Sequence, residues 1–89
     1  MKAIVTVTGK DKPGIIAKVC TSLADNDVNI LDISQTVMHE YFTMTMLIDL
    51  EKAEKDITVI GTELDELGKK MGLVIRAQRE EIFDLMYRV

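Results

Sequence analysis

The sequence predicts an α+β fold in which two helices cover one face of a four-stranded sheet. Three observations support this prediction. The 89 residues suffice for one domain with a single core. Two stretches repeat apolar residues at helical spacing, and four β-rich stretches lie before, between and after them. The order is therefore β-α-β-β-α-β, and a short helix is predicted at the end of the chain.

The first strand, residues 2–8, alternates β-branched and small side chains, which places its residues on two faces. The loop that follows, residues 8–14, holds two glycines and the chain's only proline. We expect the cap of the next helix at Asp11 or Lys12, with Asp11 favoured as the capping side chain, and Pro13 in the first turn, where a missing N–H has no cost. One face of the strand carries Ala3, Val5 and Val7, and the other carries Ile4, Thr6 and Thr8.

The first helix is predicted from Ile15 to Asp27, because apolar residues recur at i, i+3, i+4, i+7 and i+8. Its buried stripe is predicted to consist of Ile16, Val19, Cys20, Leu23 and Ala24. On this stripe the single cysteine is interpreted as a small core residue.

A hairpin is predicted next. Residues 28–38 mix aliphatic and polar side chains, which is typical of an edge strand, and His39-Glu40 is the polar break before residues 41–50. The later strand alternates cleanly, and the residues predicted to face the core are Phe42, Met44, Met46, Ile48 and Leu50. Its other face is rich in threonine and is predicted to remain open.

A second helix begins at Asp56 or Thr58, after the charged connector 51–55, and Gly72 suits its C-terminus. Gly61 and Gly68 lie near its apolar stripe, and each costs the helix about 1 kcal/mol relative to alanine, so we expect close packing to explain them. The stripe consists of Ile57, Ile60, Leu64, Leu67 and Met71.

The chain ends with a predicted strand, residues 73–79, and a short helix, residues 80–89. The apolar face of that helix carries Ile82, Phe83, Met86 and Val89 and is expected to dock on its own sheet or on another subunit. The complete order is that of the split βαβ, ferredoxin-like arrangement: an antiparallel sheet with strands two and four at its edges and two helices on one face.

Composition excludes several classes of function. A net charge of −4 and the absence of a basic stripe argue against direct nucleic-acid binding. The single cysteine excludes an internal disulfide framework and fits the reducing cytoplasm. No apolar run approaches about 20 residues, so no membrane span is expected. The chain has one histidine, His39, and one is too few for a histidine metal cluster and leaves none in reserve for a Ser-His-Asp triad. We therefore expect no catalytic activity, no bound metal and no cofactor.

Three stretches resemble the ACT domain family: residues 8–16, Leu23-Ala24 and Val28-Asn29-Ile30. The fold order agrees over residues 1–79, which would form the ACT domain, with residues 80–89 as a helical extension. The resemblance extends to free-standing single-ACT proteins and to the ACT modules of the glycine cleavage system transcriptional repressor, on residues 31–37 and Ile82-Phe83.

This resemblance implies a small regulatory protein rather than an enzyme. It implies a homodimer, or a higher homo-oligomer, that binds a small-molecule effector, an amino acid above all, and signals to a protein partner. The effector would lie between the first loop of one chain and the second strand of its neighbour. The implied ligand-binding residues are Gly9, Asp11, Pro13, Gly14, Ile15, Asn29, Ile30 and Leu31.

The chemical groups at the N-terminus of the first helix agree with that implied site. Free amides near Gly14 and Ile15 would take a carboxylate, and the oxygens of Asp11 and Asn29 would take an ammonium group. Two alternatives remain open. One is a pure dimerisation or protein-interaction module, in which the loop is structural and the terminal helix binds. The other is a phosphate-handling enzyme that uses Lys10 or Lys12, although a lysine lacks the planar fork of arginine.

Overall fold

The computed structural model describes residues 1–86 and confirms the predicted fold class and order. The predicted place of Val89 in the terminal helix lies outside the described residues. The elements are β1 (Lys2–Lys10), α1 (Ile15–Asp25), β2 (Asn29–Met38), β3 (Tyr41–Asp49), α2 (Ile57–Met71), β4 (Leu73–Arg79) and α3 (Glu80–Met86). None of the helices in the described part is long and apolar enough to cross a bilayer.

The four strands form an antiparallel sheet in the order β2-β3-β1-β4, with β2 and β4 at the edges as predicted. Thr6 lies opposite Thr45 and Thr8 opposite Thr43, so the threonines of β1 and β3 share the open face. The other face packs on the helices. Its buried strand residues are Ala3, Val5, Val7, Phe42, Met44, Met46, Ile48, Leu73 and Ile75.

The predicted stripe of α1 is partly wrong. Ile15, Val19 and Leu23 are buried, Cys20 packs against the core, and Ile16 is 38% exposed. Ala24, also predicted to be buried, is exposed. The fully buried residues therefore follow an i, i+4 row, and of the adjacent row only Cys20 reaches the core, because adjacent helix positions differ by about 100° in direction.

The predicted cap of α1 is also wrong. The N-cap residue is Gly14, in the left-handed region at φ 84°, and no side chain caps the helix. Asp11 and Pro13 both precede the helix. Glycine enters this backbone region without the Cβ clash that other residues meet, so the chain turns sharply into the helix at Gly14.

The ends of α2 agree with prediction. The Asp56 side chain accepts a hydrogen bond from the Val59 N–H at 3.1 Å, and Gly72 ends the helix in the left-handed region at φ 71°. The two interior glycines differ. A Cβ at Gly68 would lie 2.8 Å from the Leu73 carbonyl oxygen, whereas a Cβ at Gly61 would lie at an ordinary 3.9 Å from that of Ala77. Close packing explains Gly68 only.

The terminal helix α3 lies against β1 and β4, so its own sheet is one docking surface for it. Phe83 is half-buried, whereas Ile82 remains 44% exposed. At the opposite edge, residues 31–38 of β2 are exposed throughout, and the pairing with β3 is irregular between Ile30 and Asp32.

Candidate functional site

The loop between β1 and α1 is held by two long-range hydrogen bonds on consecutive residues. The backbone N–H of Asp11 donates to the carbonyl oxygen of Glu40 at 2.7 Å, at the tip of the β2–β3 hairpin. The ammonium group of Lys12 donates to the carbonyl oxygen of Met71, the last residue of α2. The loop is therefore fixed between two elements that lie far away in the sequence.

The N-terminus of α1 is open. No side chain accepts from its first amides, and its first turn holds no acidic residue. The first helical bond runs from the Lys18 N–H to the Gly14 carbonyl at 3.0 Å, so the amides of residues 15–17 precede the ladder. Such amides, at the positive end of the helix dipole, favour an anionic group.

A hollow of about 390 Å³ lies beside this terminus. Three residues of the predicted site, Asp11, Gly14 and Ile15, line it, and Pro13 belongs to the same loop. The remaining lining residues are Lys12, Ile16, Ala17 and Phe42. The hollow thus combines one carboxylate, open amides and an apolar wall.

Gly9, also predicted to belong to the site, does not line this hollow. A Cβ at Gly9 would lie 2.6 Å from Cδ2 of Leu73, so the glycine permits close packing of the end of β1 against the start of β4. The structure therefore gives Gly9 a packing role next to the loop.

Asn29, Ile30 and Leu31 lie at the other end of the sheet. Asn29 is opposite Asp49, whereas the loop end of β1 is opposite Tyr41. These two positions of β3 are eight residues apart, which corresponds to about 27 Å at about 3.4 Å per residue. A single chain therefore does not bring the two halves of the predicted site together.

Asn29 belongs to a second hollow of about 860 Å³. Three carboxylates, those of Asp27, Asp49 and Glu51, line it together with Ala24, Val28 and Lys52. Asp49 Oδ1 accepts from the Glu51 N–H at 3.0 Å and lies 3.8 Å from the chain's terminal ammonium group. The acidic lining favours a positively charged group. Within residues 1–86, however, no set of three His, Cys, Asp or Glu side chains is arranged to hold a metal ion.

Three residues that line the hollow or hold its loop were not part of the predicted amino-acid site: Lys12, Glu40 and Phe42. Lys12 was named only for the phosphate-handling alternative. The predicted topology contained a signal for Glu40 and Phe42, because β3 beside an antiparallel β1 places the start of β3 at the end of β1. No local sequence pattern indicated the hydrogen-bond partner of Lys12, because Met71 is 59 residues away.

Comparisons with known proteins agree with the fold of the chain. The model of the ACT domain family matches residues 2–78. A UPF0237 protein from Clostridium acetobutylicum is 58% identical over 89 residues, which is 100% of both chains. The solved structure of an ACT domain protein from Streptococcus pneumoniae has a TM-score of 0.82 and 44% identity over 98% of each chain.

A more distant solved structure also matches. It is described as a glycine cleavage system transcriptional repressor, with a TM-score of 0.76 and 28% identity. The match covers 86% of this chain and 44% of that chain. The similarity therefore reaches a longer protein as well as free-standing relatives.

Proposed function

The chain belongs to the ACT domain family, and from that premise we propose that it is a non-catalytic regulatory protein that binds an amino acid between two copies of itself. A protein partner then responds to the occupied dimer. Members of the family are commonly regulatory and ligand-binding, and the shape and charge of the two hollows support the same role for this chain.

The observation that supports this proposal most directly is the separation of two chemically complementary hollows. The loop hollow offers amides that suit a carboxylate, and the Asn29 hollow offers carboxylates that suit an ammonium group. If two copies pair antiparallel along β2, the loop end of one chain meets the Asn29 end of the other. The combined site then matches both charged ends of an amino acid.

The edge strand β2 is suited to this pairing. An edge presents unpaired backbone groups to solvent, and a second strand satisfies them. Ile33 and Val37 lie opposite the buried Met46 and Phe42, on the face that the helices cover elsewhere, yet they are 41% and 53% exposed. These two side chains form an exposed apolar border along the edge, which the proposed dimer would bury.

The test is a thermal-shift screen of the full chain against the twenty amino acids, with sedimentation alongside. One compound at 100 times its Kd adds about 2.7 kcal/mol to the free energy of unfolding. We expect a selective hit from a dimer and its loss in the double variant Asp11→Ala with Asn29→Ala. Asp84→Ala, at an exposed position of α3, is the control that retains the hit.

A pure interaction module is the second candidate, and α3 favours it. Leu85 is 67% exposed and Ile82 44% exposed, so this helix retains an apolar surface. A well-folded dimer that responds to none of the amino acids, and a double variant that behaves like the parent, would support this candidate instead.

A further inference from the structure

We propose that Lys12 is a positioning residue of the effector site and that it joins this site to the corner formed by residues 71–73. At this corner α2 ends, the chain turns at Gly72 and β4 begins. The inference rests on the proposed function only in treating the loop as a binding site.

Two observations place the Lys12 ammonium group on the corner. Its Nζ donates to the Met71 carbonyl oxygen. A Cβ built at Gly72 would lie 3.1 Å from the same Nζ. Gly72 therefore serves the turn, through its φ of 71°, and also leaves room for the lysine.

The corner attracts a cation for a physical reason. The last carbonyls of a helix have no partner within the helix, and they lie at the negative end of its dipole. The Gly72 N–H serves the carbonyls of Gly68 and Lys69, whereas the Met71 carbonyl accepts from Lys12. The lysine thus contributes to the cap of α2 from a distant loop.

The same bond constrains the loop. Asp11 is fixed to the hairpin through Glu40, and Lys12 is fixed to the corner, so consecutive residues are held by different elements. Gly14 and the open amides of α1 follow two residues later. The position of these amides therefore depends on the end of α2. A site whose groups are held in place before binding loses less conformational entropy when a ligand binds.

Coupling through Lys12 is reciprocal. A change at the corner shifts the loop, and a ligand that orders the loop stabilises the corner by the same free energy. The corner adjoins β4, the edge strand opposite to the one proposed for dimerisation. Occupancy of the effector site would thus be transmitted to the far edge of the sheet.

The test uses amide hydrogen exchange measured by NMR on the full chain without ligand. The reporters are the Asp11 N–H, bound to Glu40, and the Lys18 N–H, bound to Gly14. In Lys12→Met we expect both amides to exchange about ten-fold faster or more, because a hydrogen bond from a charged donor is lost. Lys12→Arg, which keeps a cationic donor, should restore slow exchange. Lys10→Met, a neighbouring loss of charge, should leave both amides unchanged.

A second variant tests the link from the other side. In Gly72→Ala the new Cβ occupies the space next to Nζ, so the same two amides should exchange faster although the substitution is at the corner. If this variant does not fold, the three lysine variants decide the question. The proposal is overturned if Lys12→Met leaves the two amides unchanged, if Lys12→Arg does not rescue them, or if Lys10→Met has the same effect. No ligand is involved, so a failed amino-acid screen and a failed exchange test remain distinguishable.

Discussion

The backbone N–H of Asp11 donates a 2.7 Å hydrogen bond to the carbonyl oxygen of Glu40. This bond fixes the loop that enters α1 to the tip of the β2–β3 hairpin. The hairpin turn itself contains His39 in the left-handed region, at φ 56°. The geometry of the candidate site therefore depends on a turn residue that sequence analysis interpreted only as a polar break.

Substitution of His39 tests that turn. A β-branched residue is strongly disfavoured at positive φ, so His39→Val should lower the free energy of unfolding by about 1–2 kcal/mol in urea denaturation. Thr36→Val, which adds the same side chain at an extended position of β2, should change it by less than about 0.5 kcal/mol. Equal effects of the two variants would show that the turn is not strained by the new side chain.

The two interior glycines of α2 form a matched pair. Gly68→Ala should destabilise by about 1–3 kcal/mol, because the new Cβ meets the backbone oxygen of Leu73 at 2.8 Å. Gly61→Ala should stabilise by about 0.5–1 kcal/mol, because helix propensity improves and the nearest atom is 3.9 Å away. Urea denaturation measures both, and a gain in both variants would contradict the close packing of α2 on β4.

Glu63 should respond to pH through its partners. The hydrogen bond from Lys55, helped by that from Asn26, lowers the pKa of the Glu63 carboxyl below its ordinary value of 4.5. NMR titration should show this pKa rising in Lys55→Met and unchanged in Lys69→Met, which removes the Asp65 partner on the same helix.

The sign of the stability effect follows from that shift. A lowered pKa in the folded state means that the charged carboxylate stabilises the fold above about pH 4.5 and that this contribution disappears as the pH falls through the folded pKa. The difference in free energy of unfolding between the parent and Glu63→Gln should therefore shrink below that pH. A difference that stays constant would contradict the assignment.

A charged substitution in the edge strand β2 tests whether this strand forms the proposed dimer interface. Val37→Lys should convert the proposed dimer to a monomer in sedimentation, because it would bury an unpaired ammonium group in the interface, and it should cost the monomer little at a position that is 53% exposed. Val74→Lys, at a 55% exposed position of the other edge strand, is the matched control and should leave the dimer intact. Dissociation in the control alone would place the interface at β4.

Local patterns in the sequence predicted most of the fold. The alternation of β3, the helix end at Gly72 and the bounds of β4 were predicted, and Asp56 was one of two predicted starts of α2, because each depends on neighbouring residues. The family resemblance rested on the same local stretches, and the matched region of residues 2–78 agrees with it.

Contacts between distant segments decided the rest. Ile15 is buried and Ile16 is 38% exposed, and this choice between adjacent helix positions depends on how α1 packs on the rest of the core. Lys12 finds its partner in a helix end 59 residues away, and no local spacing encodes that pairing. Strand register, a property of the whole sheet, separates Asn29 from the loop. The sequence by itself determined the elements and their order, whereas the tertiary structure decided which side chains meet, because such meetings depend on the packing of all elements at once.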